Sequence, residues 1–392
     1  MKKSILVIIL CCCFLTLTGC WDRVEMQDLA IITAAAIDQL EDGKTRISVQ
    51  LFIPRAITSG ETGEDPSLGS TFVREATGEN LANAISMLQM NVPRKLFWGQ
   101  CKVFIFGIEL AKNGIRKQID YLIRHPGPRD NSFLYVSEDE AKELLTLVPP
   151  LERYSGEALK KLTQEEKGMG STLRDVDKAL MGESESVSIP YIQMLVSKEP
   201  TRKLHETIPV IEGMAIFKKE QMIGVLNKKE TRGLLWLKDD MKRSTISIKL
   251  KDGDGEISMT PTSGKSKFSP EIKEHRWIMN LNITIEGDIV QNETHLDPMD
   301  KDVLLKIEKE YETALKERVA QTIEKLQQKF NADVMNFGRR FHQIYPNEWS
   351  KVKDRWDEKF PEVEVKIMVT AKVRRPGYIG PPGALPRDEV KE

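Results

Sequence analysis

The chain is long enough for two or three domains of ordinary size, and its charges are almost balanced. It has 392 residues, of which 58 are basic and 59 are acidic, and a formal net charge of −1 at pH 7. Such a chain has no excess positive field to attract polyanions, so its composition argues against nucleic acid as a partner.

The first residues have the order of a cleaved secretory signal. Two lysines form a short basic region, an almost unbroken apolar run extends from Ile5 to Leu17, and small residues precede Cys20. The run is too short to span a bilayer, which takes about 20 apolar residues. Residues 1–19 are therefore predicted to be a signal peptide, cleaved between Gly19 and Cys20.

The tetrapeptide Leu17-Thr18-Gly19-Cys20 resembles the lipobox of bacterial lipoproteins. That resemblance implies that Cys20 becomes the first residue and carries an S-diacylglycerol group and an N-acyl chain. Two or more acyl chains anchor a protein stably, whereas one chain binds marginally. A plain signal peptide, or a cysteine at this position by chance, is the alternative.

Cysteine usage excludes an internal disulfide in the processed chain. The sequence has five cysteines, of which three leave with the signal peptide and Cys20 would be lipidated. Cys101 alone remains, at the start of the apolar run 101–106, where a small buried core residue is favoured over a reactive thiol.

Residues 20–197 are predicted to form an N-terminal mixed α/β domain, with a division into two subdomains left open. Apolar alternation and helical periodicity predict strands and helices that alternate along the chain. The strands are predicted at 26–37, 46–53, 102–106, 133–136 and 186–195, and the helices at 81–88, 110–124, 138–147 and within 149–182. Thr172 and Asp175 have the spacing of a capping box, and the polar residues 198–207 are predicted to be a linker.

Residues 208–375 are predicted to form a C-terminal α+β domain in which a long amphipathic helix packs on an antiparallel sheet. Strands are predicted at 210–217, 222–226, 244–250, 256–260, 275–287 and 363–373. Asp297 is the predicted N-cap of the long helix, whose apolar residues recur at three- and four-residue steps as far as Phe330. Residues 376–392 are predicted to be a disordered tail. The predicted fold class is thus α+β and multi-domain.

No motif in the sequence has the pattern of a catalytic, cofactor or metal site. The five histidines are scattered, and the segment Asp252–Glu256 lacks the glycine and glutamate positions of a calcium-binding loop. The glycines at 168 and 170 lack the lysine of a phosphate loop, and no G-x-S-x-G is present. The chain is therefore predicted not to be an enzyme.

Trp349 and Trp356 are one heptad apart, which places both indoles on one side of a helix. Large aromatic side chains are mostly buried, so core packing is favoured over an exposed recognition face. The second interpretation stays open.

Several segments together resemble the Ger(x)C family, the lipoprotein C subunits of spore germinant receptors. The similarity begins at Gly19–Arg23 and continues at Asp28–Ile31 and Ile37-Asp38. Later matches are 107–115, 213–218, 224–226, 331–334, Phe337-Gly338 and 349–361. One departure is 33–36, Thr-Ala-Ala-Ala, where the family tends to have glycine.

Membership would imply a non-enzymatic mixed α/β lipoprotein on the outer face of the inner spore membrane. The expected partners are the integral-membrane A and B receptor subunits and, through Cys20, membrane lipid. An alternative is a solute-binding lipoprotein of a transport system, but such proteins have two similar lobes, whereas the two halves here differ in kind. An envelope hydrolase is disfavoured because the catalytic motifs are missing.

Overall fold

The computed structural model describes residues 25–53, 71–147, 149, 151–165, 170–195, 208–238, 245–250 and 255–375. Within these ranges the strands pair into a nine-stranded and a four-stranded sheet with helices packed on both, which confirms the predicted α+β class. The predicted signal peptide, the predicted linker 198–207 and the predicted tail 376–392 lie outside the described residues, as do residues 54–70 and 251–254.

The first sheet contains both parallel and antiparallel neighbours. Its spatial order is β3-β2-β1-β5-β6-β7-β8-β9, and β4 pairs with the first residues of β1. Strands β1, β5, β6 and β7 run parallel to one another, while the neighbours at both ends are antiparallel. The strands are β1 (Leu29–Gln39), β2 (Thr45–Phe52), β3 (Thr71–Gly78), β4 (Lys95–Phe97), β5 (Val103–Phe106), β6 (Phe133–Ser137), β7 (Ser186–Leu195), β8 (Ile208–Lys218) and β9 (Gln221–Asn227).

Helices cover both faces of this sheet, because parallel neighbours need crossover connections. Four helices share a core with one face, and two share a smaller core with the other face. The first four are α1 (Leu81–Met90), α2 (Ile108–Asn113), α3 (Arg116–Arg124) and α6 (Leu173–Leu180), and the other two are α4 (Ala141–Leu145) and α5 (Ser155–Glu165). The capping box of Thr172 and Asp175 is present at the start of α6.

The region 110–124, predicted as one helix, is in fact the two helices α2 and α3. Gly114 separates them with a φ of 126°, a backbone conformation that residues with a Cβ rarely adopt. The strands β3 and β4 had no sequence prediction. β3 pairs with β2 at the edge of the sheet, and β4 has only three residues.

The second sheet has the order β10-β11-β12-β13. Its strands are β10 (Ile246–Lys249), β11 (Glu256–Lys273), β12 (Arg276–Asn292) and β13 (Glu364–Arg375). Glu274 and His275 join β11 to β12 with positive φ at both positions, as a two-residue type I′ hairpin turn requires. The prediction of a purely antiparallel sheet is wrong at β13, which runs parallel to β12. The chain crosses back over the sheet as a helix between these strands, so the next strand enters from the same end.

That crossing helix is α8 (Lys301–Glu324), which continues as a π-helical turn at Lys325–Lys329. It begins one turn later than predicted, because the carboxylate of Asp300 accepts from the N–H groups of Asp302 and Val303. Asp297 instead accepts from the N–H of Met299 in the preceding turn. The apolar stripe is confirmed: Ile307, Tyr311, Leu315, Val319 and Ile323 are all buried against the sheet core.

Short helices complete the second half. They are α7 (Lys228–Leu237), α9 (Phe337–Ile344), α10 (Pro346–Val352) and α11 (Trp356–Lys359). Helix α7 crosses α8 closely at Gly233, where a Cβ would lie 2.1 Å from the hydroxyl of Thr322. The same hydroxyl donates to the carbonyl of Glu230 over 3.1 Å.

Strands β8 and β9 connect the two halves of the chain. Strand β8 pairs with β7 in the first sheet and β9 pairs with β8, although the sequence groups both strands with the C-terminal domain. Alternate side chains of β8 point to opposite faces, so Ala215 and Phe217 join the first core, whereas Met214 and Ile216 join the second. Strand β8 therefore contributes side chains to both hydrophobic cores. The domain limits given above stay a prediction.

Candidate functional site

The proposed lipid-attachment residue Cys20 and its neighbour Gly19 lie outside the described residues. Glu25 precedes a short 3-10 turn at Met26–Asp28, which leads into β1. Glu25 is five residues from Cys20. The lipid anchor stays a prediction.

A cluster of aromatic rings around a buried carboxylate lies in the C-terminal half. Trp349 and Trp356 meet edge to face with ring centroids 5.0 Å apart. Trp356 also lies 6.0 Å from both Trp277 and Phe360. We call the set Trp277, Phe337, Phe341, Trp349, Trp356 and Phe360 the C-terminal aromatic cluster. Aromatic pairs at such distances add to the stability gained by burial alone.

The carboxylate of Asp333 is the polar centre of this cluster. It accepts from the backbone N–H groups of Phe337 and Gly338, both over 2.8 Å, and from the indole N–H of Trp356 over 3.2 Å. The first two donors are backbone N–H groups in the first turn of α9, which have no partner within the helix. A carboxylate can accept from such groups and is favoured by the helix dipole. Asp333 thus joins a helix start to a tryptophan that follows 23 residues later.

Burial dominates the acid–base behaviour of Asp333. The side chain is almost completely buried, and loss of solvation raises the pKa of its carboxyl to about 7, although its three donors and Arg340 act in the opposite direction. The carboxyl group therefore titrates near neutral pH while it holds the fold together. A shifted pKa alone does not indicate catalysis, since structural groups are also perturbed.

Two amides connect the end of α8 to the same segment. The side-chain N–H2 of Gln327 donates to the carbonyls of Phe360 and Val363, each over 2.9 Å. Asn331, which has a positive φ, donates to the carbonyl of Asp357 over 2.8 Å. These bonds fix the segment 349–361 on the end of the long helix.

The core interpretation of Trp349 and Trp356 is confirmed, since each side chain is only 4% exposed. They do not share one helix, because α10 ends at Val352 and a 3-10 turn precedes α11. A Cβ on Gly338 would lie 2.8 Å from the Trp349 ring, so this glycine allows the close packing of both indoles. One partly exposed residue adjoins the cluster: His342 stacks on Trp349 at 5.8 Å and contacts Glu183 over 2.9 Å.

A second buried carboxylate lies in the first half. Asp38 accepts from the N–H groups of Ala141 and Lys142 over 2.7 and 3.2 Å and pairs with Arg46 at 3.3 Å. Burial raises the pKa of the Asp38 carboxyl, against the lowering by its donors and by Arg46. Gly107 fits beside it, because a Cβ there would lie 2.2 Å from the Asp38 carboxylate.

The hairpin of β8 and β9 is a third place where segments distant in the sequence are in contact. A Cβ on Gly213 would lie 1.9 Å from the carbonyl oxygen of Leu226. The turn of the hairpin receives the N–H of Ile115 at the carbonyl of Glu220, over 2.9 Å. Gly224 accommodates the ring of Phe330 from the end of the long helix. Gly213 and Leu226, which both belong to segments that carry the family resemblance, thus lie in direct contact.

The remaining candidate residues are structural or isolated. Cys101 is completely buried, and burial raises the pKa of its thiol to about 12, which confirms the core interpretation. His125 accepts from the N–H of Gly127 within its own turn. Over the described ranges, no group of three or more His, Cys, Asp and Glu side chains could hold a metal ion.

Two family models match the chain in order. The "Spore germination protein N-terminal domain" matches residues 22–194, and "Spore germination B3/ GerAC like, C-terminal" matches residues 212–377. The chain belongs to the Ger(x)C family of spore germination proteins. Its function therefore lies in spore germination.

Members of the Ger(x)C family resemble the chain over almost their whole length. Spore germination protein KC of Bacillus subtilis (strain 168) is 25% identical over 96% of each chain. Spore germination protein B3 of the same organism is 22% identical over 93% of this chain and 96% of its own. The crystal structure of the GerBC protein matches 87% of this chain and 97% of its own with a TM-score of 0.54 at 19% identity, a likeness of fold.

The family resemblance marked the segments around Asp333 and Trp356, but sequence analysis missed that they bind each other. The available signal was an aspartate four residues before a helix start, with its carboxylate free to cap it. Gln327 and Arg46 gave no signal, since each lies within an ordinary helix or strand pattern. In the part of the chain that the structure describes, no helix combines the length and apolarity needed to cross a membrane.

Proposed function

We propose that the chain is the lipid-anchored C subunit of a spore germinant receptor. It assembles with integral-membrane A and B subunits, and the complex responds to nutrients and triggers germination. One observation carries this proposal: a lipobox at residues 17–20 is followed at once by the two family matches, in the family's order and over nearly the whole remaining chain.

In this proposal Cys20 carries the S-diacylglycerol group and the N-acyl chain, and signal cleavage occurs between Gly19 and Cys20. The protein then lies on the outer face of the inner spore membrane. Hydrophobic insertion of the acyl chains at about 0.8 kcal/mol per buried CH₂ supplies stable attachment.

The proposed role is binding and assembly, without catalysis. The two buried carboxylates described above support this view, because Asp38 and Asp333 both accept from backbone N–H groups of their own fold. A general acid or base must instead reach a substrate. The different architecture of the two halves also argues against a solute-binding protein with two similar lobes.

Co-purification from detergent-solubilised spore membranes tests the proposal. A tagged chain is captured, and its partners are identified by mass spectrometry. Two integral-membrane germination proteins are expected in stoichiometric recovery, and an untagged strain controls for background. Recovery of a transport permease and its ATPase in their place would contradict the receptor assignment and favour the solute-binding alternative.

A further inference from the structure

Several strands of the first sheet have an end at the edge where β1 begins, that is, the edge formed by the first residues of the parallel strands. In the sequence, β1 is the strand nearest to Cys20. The parallel strands β1, β5 and β6 all begin there. Because β2 runs antiparallel to β1, its last residues lie at the same edge, and Phe52 pairs with Thr71 at the start of β3. Helix α1 also returns to this edge, since it leads into β4, where Lys95 lies opposite Leu29.

Large apolar side chains are exposed at this edge. Met26 is 77% exposed, Met90 is 76% exposed and Leu151 is 85% exposed. Leu151 belongs to the edge because it lines a cleft together with Phe52. Phe72 and Phe97 add smaller exposed areas. Scattered single apolar residues are ordinary on a protein surface, but several at one edge indicate an interaction site.

Basic side chains also lie at this edge. Arg94 and Lys95 are exposed just before Phe97. Partial burial lowers the pKa of Lys102, and the nearby charges of Arg129 and Lys160 lower it further. Lys102 and Lys160 line a cleft of about 350 Å³ that opens beside Ile31. Such crowding of like charges favours an anionic partner.

The carboxylates of this edge do not balance the charge. Glu152 is paired with Lys161 over 2.7 Å, and Asp130 is paired with Arg174. Glu25, Asp28 and Glu157 remain against the five basic side chains. We call the five basic residues together with Met26, Phe72, Met90, Phe97 and Leu151 the anchor-side surface.

We infer that the anchor-side surface lies directly on an anionic phospholipid bilayer, with its apolar side chains at the level of the headgroups. The inference rests on the proposed lipid anchor at Cys20. Four residues separate Cys20 from Glu25, and the five Cα-to-Cα steps between these two residues can span at most about 18 Å. The edge from which they depart is therefore held next to the membrane, and basic residues flanking apolar ones suit its interface.

Vesicle binding tests the inference without the acyl chains. The chain from residue 20 onward carries Cys20→Ser, which keeps every described residue. Sedimentation with vesicles of equal parts phosphatidylglycerol and phosphatidylcholine is compared with phosphatidylcholine alone. We expect binding to the mixed vesicles that weakens with added salt. The triple variant Lys102→Gln/Arg129→Gln/Lys160→Gln should bind about a hundredfold more weakly, since each basic residue near such a surface contributes about fivefold.

Matched controls separate local contact from net charge. Lys301→Gln/Lys306→Gln/Lys316→Gln removes three exposed charges from α8 on the second sheet, and it should bind like the parent chain. Met90→Ser/Leu151→Ser should weaken binding at least about tenfold. Its control is Met181→Ser/Met368→Ser, because these side chains are 71% and 66% exposed elsewhere. Thermal unfolding of each variant verifies folding.

Three results would overturn the inference: no preference for the anionic vesicles, equal losses in test and control triples, or full binding by Met90→Ser/Leu151→Ser. Because the assay uses a chain without lipid, its outcome is independent of the anchor. If the native protein is found to carry no acyl group, the proposed function is contradicted, even where vesicle binding is observed.

Discussion

The indole N–H of Trp356 donates to the buried carboxylate of Asp333, which also holds the first turn of α9. This contact joins the start of α9 to the segment 349–361 through a single acidic side chain. The C-terminal aromatic cluster therefore depends on a polar centre, and a buried polar group without partners is costly. The first two predictions follow from this relationship.

Trp356→Ala should destabilise the protein by about 3–5 kcal/mol, through lost burial, a cavity and the loss of one of the three donors to the Asp333 carboxylate. Trp356→Phe keeps a ring but loses the hydrogen bond, so it should cost less. Chemical denaturation followed by circular dichroism measures both. Unchanged unfolding of Trp356→Ala together with loss of co-purifying membrane subunits would show that the indole acts in recognition, against its burial here.

Asp333 should make stability decrease as the pH rises from about 4 to about 7. Burial raises the folded-state pKa to about 7, above an unfolded value of about 3.9. Between these values the folded state binds the extra proton, so unfolding becomes easier with rising pH, by at most about 1.4 kcal/mol per pH unit. Below both pKa values, and above both, this carboxyl does not make the free energy of unfolding depend on pH.

Denaturation midpoints across that pH range, for the parent and for Asp333→Asn, isolate this effect. The variant should be less stable overall, because its amide N–H₂ faces backbone donors, and its profile should lack the Asp333 contribution. Asp38 is buried too and its pKa is also raised, so some slope of the same sign should persist in the variant. Superimposable profiles for the two proteins would contradict the assignment.

Sequence periodicity predicted most elements because burial on one face leaves a regular pattern. The alternation in β12 and the stripe of α8 are examples, and both are confirmed. Pairing was harder to predict. Strand β8 has the pattern of a strand, but nothing local specifies that it pairs with β7 or that its side chains enter two cores. Long-range contacts such as Asp333 with Trp356 leave no periodic signal, so only the family resemblance pointed to those segments.

Leu315→Ala should destabilise the C-terminal half by about 2–5 kcal/mol, because Leu315 is buried in the stripe of α8. Leu305→Ala on the same helix is the matched control. Leu305 is 53% exposed, so its replacement should change stability by no more than about 0.5 kcal/mol. Equal effects of the two substitutions in urea denaturation would contradict the packing of this helix.

Cys101 should resist modification in the folded protein. Its side chain is completely buried, and burial raises the pKa of the thiol to about 12, while the thiolate is the reactive form. In the chain from residue 20 with Cys20→Ser, Cys101 is the single cysteine. Ellman's reagent at pH 8 should react only after denaturant is added. Rapid reaction of the native chain would mean that the strand around Cys101 is open.

Cys20→Ala should abolish acylation and signal processing, because the thiol of the lipobox receives the diacylglyceryl group before cleavage. Metabolic labelling with palmitate should mark the parent protein and leave the variant unlabelled, with the apolar run 5–17 retained. Cys101→Ala is the matched control, since it removes the other cysteine of the processed chain and should keep its label. Membrane fractionation alone is insufficient, because the anchor-side surface or the partner subunits could retain an unlipidated chain. A labelled Cys20→Ala protein that is still cleaved after Gly19 would contradict the anchor.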